Sequence, residues 1–174
     1  PVLWSVVEKT ALAEAEVEYH DHTSTTIMVR FPVLGQTPAA DLHGASILIW
    51  TTTPWTIPGN RALAFSQGSE YVRLRVNDVT EESLAAVGED LILAAALVES
   101  VTADCGIIDH EIVATFPGST LEGAVCRHPL HGQGYDFEVP TFAAAFATVE
   151  EGTGFVHIAP GHGADDWNLG IANG

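Results

Sequence analysis

Residues 46–60 read SILIWTTTPWTIPGN, an apolar run that passes directly into four threonines and two prolines. The continuous run at 46–50 is typical of a strand that is buried on both faces. Pro54 and Pro58 each fix their own φ angle and restrict the residue before them. We therefore predict a buried strand followed by a rigid segment that is neither helical nor paired in a sheet. This Thr-rich segment, residues 50–60, is expected to hold its hydroxyls stiffly at a surface or a cleft.

Outward from this stretch, alternating or apolar runs predict further strands, and one stretch predicts a helix. The helix is expected at 94–104, and the strands at 71–76, 90–93, 112–116 and 142–149. Many strands with one or two helices at irregular spacing favour a barrel-like or mixed β-rich domain over a doubly wound sheet. The predicted fold class is α/β and β-rich, with a barrel-like core of about six strands and a few peripheral helices.

The N-terminal part predicts a hairpin. Residues 13–19, AEAEVEY, alternate apolar and acidic side chains, which favours a strand although Ala and Glu individually favour helix. Residues 20–22, HDH, are expected to form the turn into a second strand at 25–31. Together these two strands place a hairpin within residues 1–33.

Composition and charge limit the possible functions. The chain has 174 residues, 47% of them hydrophobic, and a formal charge of −17 from 23 acids and six bases. A chain of this length buries about 70% of its unfolded surface, so we expect a single domain over residues 1–174. Six bases are too few for a freestanding nucleic-acid binder, because each phosphate contact needs a Lys or Arg. Residues 76–126 contain ten acids and no base, whereas residues 1–75, which include the Thr-rich segment, are nearly neutral.

The cysteines and the chain ends point to a cytoplasmic segment of a longer protein. Cys105 and Cys126 have no C-x-x-C spacing, so we expect two unpaired, buried thiols in a reducing compartment. No apolar run reaches about 18 residues and no basic-then-apolar stretch opens the sequence, so we expect neither a membrane span nor a secretory signal. Because the sequence starts at Pro1 rather than Met, we expect it to be part of a longer chain.

A second segment, residues 152–166, reads GTGFVHIAPGHGADD. Glycines so spaced let the backbone approach a ligand closely, and two adjacent carboxylates follow them. This Gly-rich segment lacks the third glycine of a dinucleotide fingerprint and the lysine of a P-loop. No serine of the chain stands in a G-x-S-x-G turn, which argues against a serine hydrolase.

Two groups of residues are weak candidates for a metal site. The first comprises His157, His162, Asp165 and Asp166, and the second is Cys126-x-His128-x-x-His131. The spacing of His157 and His162 does not place both on one helical face, although a loop could still gather these ligands. Histidines satisfied by hydrogen bonds are the preferred interpretation, so no metal and no cofactor are predicted.

The Thr-rich and Gly-rich segments together resemble the two signature segments of the editing (CP1) domains of isoleucyl-tRNA synthetases, in the class I synthetase family. Residues 1–19 also match, so the likeness extends along nearly the whole chain, although residues 65–145 are less diagnostic. Thr53 and His157 favour the isoleucyl type, since valyl and leucyl enzymes usually have Arg for the threonine and valyl enzymes Lys for the histidine. Ile158 departs from the family, where Thr is more usual.

The resemblance implies hydrolysis of Val-tRNA(Ile), with valyl-adenylate as an additional candidate substrate. One methylene changes binding by only about 1–3 kcal/mol, the isoleucine and valine pair being the familiar instance, so a second, smaller sieve must remove valine. The implied partners are the aminoacylated 3′ end of tRNA(Ile), its valine moiety and the remaining domains of a parent synthetase, to which residues 1–33 connect. The ATP-site signatures HxGH and KMSKS are absent from the chain, so it is not expected to activate amino acids.

The same resemblance assigns roles around the amino acid. Asp166 is expected to bind the α-ammonium group, with a carboxylate at the start of a helix as the alternative interpretation. His157 and Trp50 are expected to form walls that admit valine and exclude isoleucine, with core packing as the alternative. Asn60 resembles a family position linked to editing and is expected to bind substrate, although it could simply cap a turn.

Hydrolysis itself is expected to depend on hydroxyl groups. Thr51, Thr52, Thr53 and Thr56 offer hydroxyls for the terminal ribose, the ester carbonyl or the attacking water. Thr51, Thr52 and Thr53, with Asp166, are the expected catalytic residues, and Thr53 is expected to make the most direct contact. Because a threonine cannot deprotonate water, we expect positioning with help from a substrate hydroxyl. His162 and Asp165 are expected to support the site.

Two other interpretations stay open at this point. The equivalent domain of a valyl or leucyl enzyme would remove a threonyl or other near-cognate group. A small-molecule binding module would hold valine but would not hydrolyse the ester without the parent enzyme. Deacylation assays and soaking with valine and isoleucine separate these possibilities.

Overall fold

The computed structural model describes residues 2–21 and 23–174, and eleven strands in three sheets form most of their regular structure. The strands are β1 Leu3–Ser5, β2 Thr10–Leu12, β3 Ile27–Pro32, β4 Ser46–Thr51, β5 Ala62–Phe65, β6 Glu70–Val79, β7 Asp90–Ala94, β8 Ile107–Pro117, β9 Val125–Arg127, β10 Glu138–Ala143 and β11 Phe155–Ile158. Two α-helices, α1 Val98–Asp104 and α2 Ala164–Ala172, lie within the same residues, with short 3-10 helices at Glu14–Glu16, Ala40–Leu42, Pro54–Gly59, Ala95–Leu97 and Gly118–Leu121.

The five-stranded sheet has the order β3-β4-β7-β6-β8 and contains the strand predicted at 46–50. β4 pairs antiparallel with β3 and parallel with β7, and its residues Ile47, Leu48 and Ile49 are buried. A strand that has neighbours on both sides and is covered on both faces requires apolar side chains throughout, which explains the continuous run. The Thr-rich segment therefore starts from a fixed point, the end of β4 at Thr51.

The four-stranded sheet has the order β11-β5-β10-β9 and positions the Gly-rich segment. β5 pairs antiparallel with β11 and parallel with β10, and all four of its residues are buried. Tyr71 of β6 joins the two larger sheets: its hydroxyl donates to the Gly154 carbonyl oxygen at 2.7 Å and accepts from the Ser66 N–H at 2.9 Å. The Gly-rich segment is thereby fixed against the first sheet.

Several predicted elements are confirmed. The runs 71–76, 90–93 and 112–116 lie within β6, β7 and β8, and the helix expected at 94–104 is present as a 3-10 turn followed by α1. The β-rich α/β class is also confirmed. The core consists of open sheets rather than a closed barrel, since each described sheet has a strand order that ends in two edges.

The hairpin predicted across 13–31 is wrong. Glu14–Glu16 form a 3-10 turn in place of the first strand, and all residues of 13–19 except Val17 are exposed. Without a sheet partner to cover one face, the alternating pattern gives way to the helical preference of Ala and Glu. β3 pairs with β4 instead, and a short hairpin forms earlier, between β1 and β2. The turn expected at 20–22 includes residue 22, which lies outside the described residues.

The prediction that the Thr-rich segment is non-helical is also wrong, because Pro54–Gly59 form a 3-10 helix. Pro54 occupies its first turn, where a missing N–H costs nothing. Two of its hydrogen bonds close tight turns: Thr56 N–H donates to the Thr53 carbonyl oxygen ahead of Pro58, and Asn60 N–H donates to that of Ile57 across Pro58, both at 3.0 Å. Pro54–Gly59 are not paired in a sheet, as predicted, but they form helical turns.

The strand predicted at 142–149 is only partly present. β10 ends at Ala143, and a turn follows in which Ala147 N–H donates to the Ala144 carbonyl oxygen at 3.2 Å. Small side chains fill this region because Ala147 packs with Ala62 and Ala64 in a minor core. The alternation of Ala and Phe therefore reflects close packing of a turn rather than a pleated strand.

The two cysteines form no disulfide, as the sequence predicts. Cys105 and Cys126 are free, and burial raises the pKa of the Cys126 thiol to about 12, although Cys105 is only half-buried. Within residues 2–21 and 23–174, no helix has the length and apolar character to cross a membrane.

Candidate active site

A cavity of about 500 Å³ opens where the Thr-rich segment, β11 and the start of α2 meet. It is lined by eight residues that the sequence singled out, namely Trp50, Thr51, Thr52, Thr53, Thr56, His157, His162 and Asp166. A larger groove of about 840 Å³ shares Trp50 but includes none of the other seven. The smaller cavity is therefore the candidate active site.

The threonines form a connected wall of this cavity. Thr53 N–H donates to Thr51 Oγ1 at 3.1 Å, and the two hydroxyl oxygens lie 3.3 Å apart. Thr51 is buried, Thr53 is half-buried and Thr52 is exposed. Of these residues, Thr53 combines access to the cavity with a hydroxyl whose position is fixed by its neighbours.

His157 lies on β11 and is bound by Thr56 of the 3-10 helix. Thr56 Oγ1 lies 2.9 Å from His157 Nε2 and donates to the Thr53 carbonyl oxygen at 2.8 Å. Because a hydroxyl has one proton to donate, His157 must be the donor, from Nε2. Its Nδ1 is then a lone-pair acceptor, and it is buried with no hydrogen-bond partner among the described residues.

The charge state of His157 follows from its surroundings. Burial lowers the pKa of His157 and outweighs the opposing effect of the nearby Asp166 carboxylate, while His162 lowers the pKa further. The ring is therefore neutral at neutral pH. A neutral imidazole can face an aliphatic side chain without the cost of burying a charge.

Asp166 lies in the first turn of α2, and its side chain folds back over the Gly-rich segment. Its Oδ2 accepts a hydrogen bond from the Ala159 N–H at 2.8 Å, while Oδ1 has no partner among the described residues. Gly163 leaves room for this conformation, since a Cβ there would lie 3.3 Å from Asp166 Cγ. The carboxylate is at a helix start, as the alternative interpretation expects, and it also lines the cavity, while its contact with an ammonium group stays a prediction.

Two glycines allow the aromatic parts of the site to pack closely. A Cβ on Gly152, whose φ is +70°, would lie 3.3 Å from Trp50 Cε3. A Cβ on Gly59 would lie 3.3 Å from His162 Cδ2. Small residues at these two positions therefore bring Trp50 and His162 to the cavity from opposite segments.

Two predicted residues are not brought into the cavity. Asn60 is fully buried, and its Nδ2 donates to the Ala62 carbonyl oxygen at 2.9 Å. This contact fixes the end of the 3-10 helix, and Asn60 lies outside the cavity lining. Asp165 is exposed on α2 and lies outside the lining.

Sequence reasoning missed four lining residues, Trp55, Phe146, Thr148 and Glu151. Trp55 is 69% exposed, and its position between two prolines, in a segment predicted to lie at a surface or a cleft, is a sequence signal that could have marked it. Phe146 and Thr148 were missed because the wrong strand prediction at 142–149 gave no reason to place them in a cavity. Glu151 adds a second carboxylate to the lining, beside the Gly-rich segment.

The metal candidates do not form ligand clusters. Among residues 2–21 and 23–174, no group of three or more His, Cys, Asp or Glu side chains is arranged to hold a metal ion. Both ring nitrogens of His128 are occupied by backbone groups, as Nε2 lies 3.1 Å from the Ile57 carbonyl oxygen and Nδ1 accepts from the Leu130 N–H. His131 lies 3.2 Å from an Asp136 oxygen.

Comparison with curated proteins gives long matches to one kind of enzyme. The chain is 54% identical over 170 residues to the isoleucine–tRNA ligase of Gluconobacter oxydans, which covers 97% of the chain and 18% of that ligase. It is 49% identical to that of Bradyrhizobium diazoefficiens (99% of the chain, 17% of the ligase) and 45% identical to that of Pelagibacter ubique (100% and 19%). The chain thus spans about a fifth of the length of these relatives. No protein-family model matches it.

Solved structures of editing domains share the fold. The crystal structure of GlLeuRS-CP1 has a TM-score of 0.66 at 18% identity and covers 83% of the chain and 58% of its own. The editing domain of P. knowlesi cytosolic leucyl-tRNA synthetase has a TM-score of 0.63 at 13% identity, with coverage of 82% and 60%. The ligase matches along nearly its whole length show that the chain belongs to the isoleucyl-tRNA synthetase family, and the solved structures show that it has the fold of a CP1 editing domain.

Proposed function

We propose that this domain hydrolyses the ester bond of Val-tRNA(Ile) and so serves as the proofreading site of a cytoplasmic isoleucyl-tRNA synthetase. The observation that carries the proposal is the placement of Asp166, His157 and the threonine hydroxyls around one cavity. An aminoacyl ester presents three matching features, namely an ammonium group, an apolar side chain and an ester joined to a ribose.

The free oxygen of Asp166 is the partner for the α-ammonium group. Oδ2 is held by the Ala159 N–H, so Oδ1 is oriented before the substrate arrives. A charge-assisted hydrogen bond to a fixed carboxylate is stronger than one between neutral groups, and it selects an amino acid over other acyl groups. Glu151, in the same lining, strengthens the negative potential that attracts the ammonium.

His157 and Trp50 set the size limit for the side chain. The Thr56 contact fixes the His157 ring and the Gly152 contact fixes the Trp50 ring, so neither wall yields easily to an additional methylene. Inserting one methylene into a rigid, well-packed site is costly. The cavity therefore accepts valine and leaves correctly attached isoleucine outside.

Hydrolysis forms a bond between a water oxygen and the carbonyl carbon and breaks the bond from that carbon to the ribose oxygen. The ribose oxygen leaves with a proton. Thr51 and Thr53, whose hydroxyls are 3.3 Å apart, orient the water and donate to the carbonyl oxygen as negative charge develops on it. A neighbouring ribose hydroxyl assists the proton transfer, because no threonine is basic enough to do so.

The partners of this reaction are the 3′ end of tRNA(Ile) with its valine, and the other domains of the synthetase, to which residues 1–33 connect. The exposed hairpin β1–β2, with Val2, Val6 and Val7 each at least 75% exposed, fits such a connection. Valyl-adenylate carries the same ammonium and side chain and is a second candidate substrate of the cavity.

The test is release of valine from purified Val-tRNA(Ile) by the parent synthetase, compared with spontaneous hydrolysis in buffer. The proposal predicts release far above the spontaneous rate, and a rate equal to it would reject the proposal. A binding module, the second candidate, predicts that the isolated chain binds free valine but leaves the ester intact without the parent enzyme, so the deacylation assay is run with the isolated chain as well. Calorimetric titration of the chain with valine, run beside the deacylation assay, separates these two functions.

A further inference from the structure

His128 is a buried polar residue that lies outside the cavity, 1% exposed, in the loop after β9. Its ring stacks on Tyr135 at an interplanar angle of 15° and packs against Phe137, with centroid distances of 5.1 Å in both cases. An aromatic hydrocarbon would fill this space equally well. A histidine there is costly unless both ring nitrogens are paired.

Both nitrogens are paired, each with a different part of the backbone. The Leu130 N–H donates to Nδ1 at 3.1 Å, so Nδ1 must be the unprotonated nitrogen. Nε2 therefore carries the proton and donates to the carbonyl oxygen of Ile57, also at 3.1 Å. The first bond is local to the loop, whereas the second crosses to the Thr-rich segment, 71 residues away in sequence.

The second bond ends on the 3-10 helix that forms the cavity wall. The Ile57 carbonyl oxygen accepts from Asn60 N–H as well, so both its lone pairs are used and its direction is fixed. Ile57 directly follows Thr56, whose hydroxyl holds His157. A displacement of Ile57 would therefore move the Thr56 hydroxyl relative to the His157 ring.

We propose that His128 is a positioning residue, which acts through the Ile57 carbonyl to hold the 3-10 helix at the distance where Thr56 meets His157. The kinetic consequence rests on the proposed function of the cavity. His128 does not touch the substrate, and its influence travels through one hydrogen bond and one turn of helix. The proposal gives the C-x-H-x-x-H pattern a role that involves no metal ion.

The substitutions His128→Gln and His128→Asn form a matched pair. Both remove the aromatic ring, so both lose the same packing against Tyr135 and Phe137. The Gln amide reaches as far as Nε2 and keeps a donor for the Ile57 carbonyl oxygen. The Asn amide reaches only as far as Nδ1, so it keeps the acceptor for the Leu130 N–H and loses the contact with Ile57.

In the parent synthetase, His128→Asn is expected to lower kcat for Val-tRNA(Ile) deacylation by about ten- to a hundred-fold with little change in KM, as expected for misplaced reacting groups. His128→Gln is expected to keep kcat within about three-fold of the wild type, although its thermal stability falls as much as that of His128→Asn. Equal kcat values for the two variants would show a packing role alone and overturn the proposal.

A second readout does not depend on the reaction. The imidazole ¹⁵N shifts of His157 in the 174-residue chain report its tautomer, and the wild type is expected to carry the proton on Nε2. His128→Asn should change these shifts and His128→Gln should not; unchanged shifts in both variants would overturn the proposal. If the wild-type synthetase fails to deacylate Val-tRNA(Ile), the proposed function fails, but these shifts still decide the role of His128.

A third variant covers the case in which both amides unfold the protein. His128→Phe keeps the aromatic packing and removes both hydrogen bonds. It is expected to stay folded and to show the same shift change and loss of kcat as His128→Asn. A folded His128→Phe variant with wild-type kcat and wild-type His157 shifts would overturn the proposal.

Discussion

The two oxygens of the Asp166 carboxylate have different surroundings, and this difference makes the residue useful to the site. Oδ2 is held by a backbone N–H of the Gly-rich segment, and Oδ1 is free in the cavity. Replacement by Asn keeps an oxygen for the Ala159 N–H but removes the negative charge. The substitution therefore separates the structural contact of Asp166 from its proposed contact with an ammonium group.

Asp166→Asn in the parent synthetase is expected to reduce kcat/KM for Val-tRNA(Ile) deacylation by about ten- to a hundred-fold, since a hydrogen bond to a charged group contributes roughly 1.5–3 kcal/mol. Asp165→Asn is the matched control on the same helical turn, exposed and outside the cavity, and should stay within about two-fold of the wild type. Equal losses in the two variants would mean that the Asp166 charge has no specific role.

His157→Ala is expected to remove the size limit rather than the activity. Without the ring, a further methylene fits, and hydrolysis of Ile-tRNA(Ile) should rise by about ten-fold or more while hydrolysis of Val-tRNA(Ile) continues. Rapid-quench measurement of both reactions checks this. If the variant spares Ile-tRNA(Ile) as the wild type does, the wall lies elsewhere in the cavity.

Among the elements, the short strands β5 and β11 hold the site, and both are too brief to be predicted from periodicity. β5 has four residues, all buried, and β11 has four residues that directly follow Gly154, so neither is long enough to show a clear alternation of apolar and polar side chains. The sequence could predict β4 from its continuous apolar run, and the two signature segments could single out eight of the sixteen lining residues. It could not predict the 3-10 helix, in which one hydrogen bond precedes Pro58 and another, from Asn60 N–H to the Ile57 carbonyl oxygen, spans it.

Gly154 tests how the Gly-rich segment is fixed to the first sheet. Its φ is +80°, and a Cβ there would lie only 2.4 Å from Ala94 Cβ. Gly154→Ala is expected to lower the free energy of unfolding by about 2–4 kcal/mol, from backbone strain together with overpacking. Urea unfolding of the chain measures this loss.

Gly161→Ala is the matched control for that substitution. Its φ is not positive, and a Cβ at Gly161 meets nothing within 4 Å. The expected change is within about 0.5 kcal/mol. Similar losses for the two variants would contradict the close contact between Gly154 and β7.

At the scale of the whole molecule, several of the few basic side chains form ion pairs with carboxylates. Arg73 and Arg75 both bind Asp90 at the start of β7, and Arg30 binds Glu89 at 2.6 Å. Three of the six basic side chains are thereby committed to carboxylates. Fewer basic side chains are then available for phosphates, which strengthens the prediction that the domain does not hold a tRNA body by itself.

The Asp90 cluster makes the stability of the fold depend on pH in a defined direction. Its hydrogen bond from the Arg75 guanidinium, aided by Arg73, holds the pKa of Asp90 below its ordinary value despite the opposing effect of burial. A lowered pKa in the folded state gives a contribution that is complete above the unfolded pKa of about 3.9 and is lost as pH falls through the folded pKa.

Asp90→Asn is therefore expected to weaken the decline of unfolding free energy below about pH 4, while lowering stability at pH 7. Urea unfolding over this pH range checks the slope, and the exposed Asp109 on the edge strand β8 provides the control substitution Asp109→Asn. A slope unchanged by Asp90→Asn and changed by Asp109→Asn would contradict the assignment.

The central claim is that a rigid cavity admits valine and excludes isoleucine. The most direct measurement is single-turnover deacylation of Val-tRNA(Ile) and of Ile-tRNA(Ile) by the wild-type parent synthetase under identical conditions. The cavity geometry predicts rapid release of valine and release of isoleucine at least about ten-fold slower. Equal rates for the two esters, or faster release of isoleucine, would contradict it.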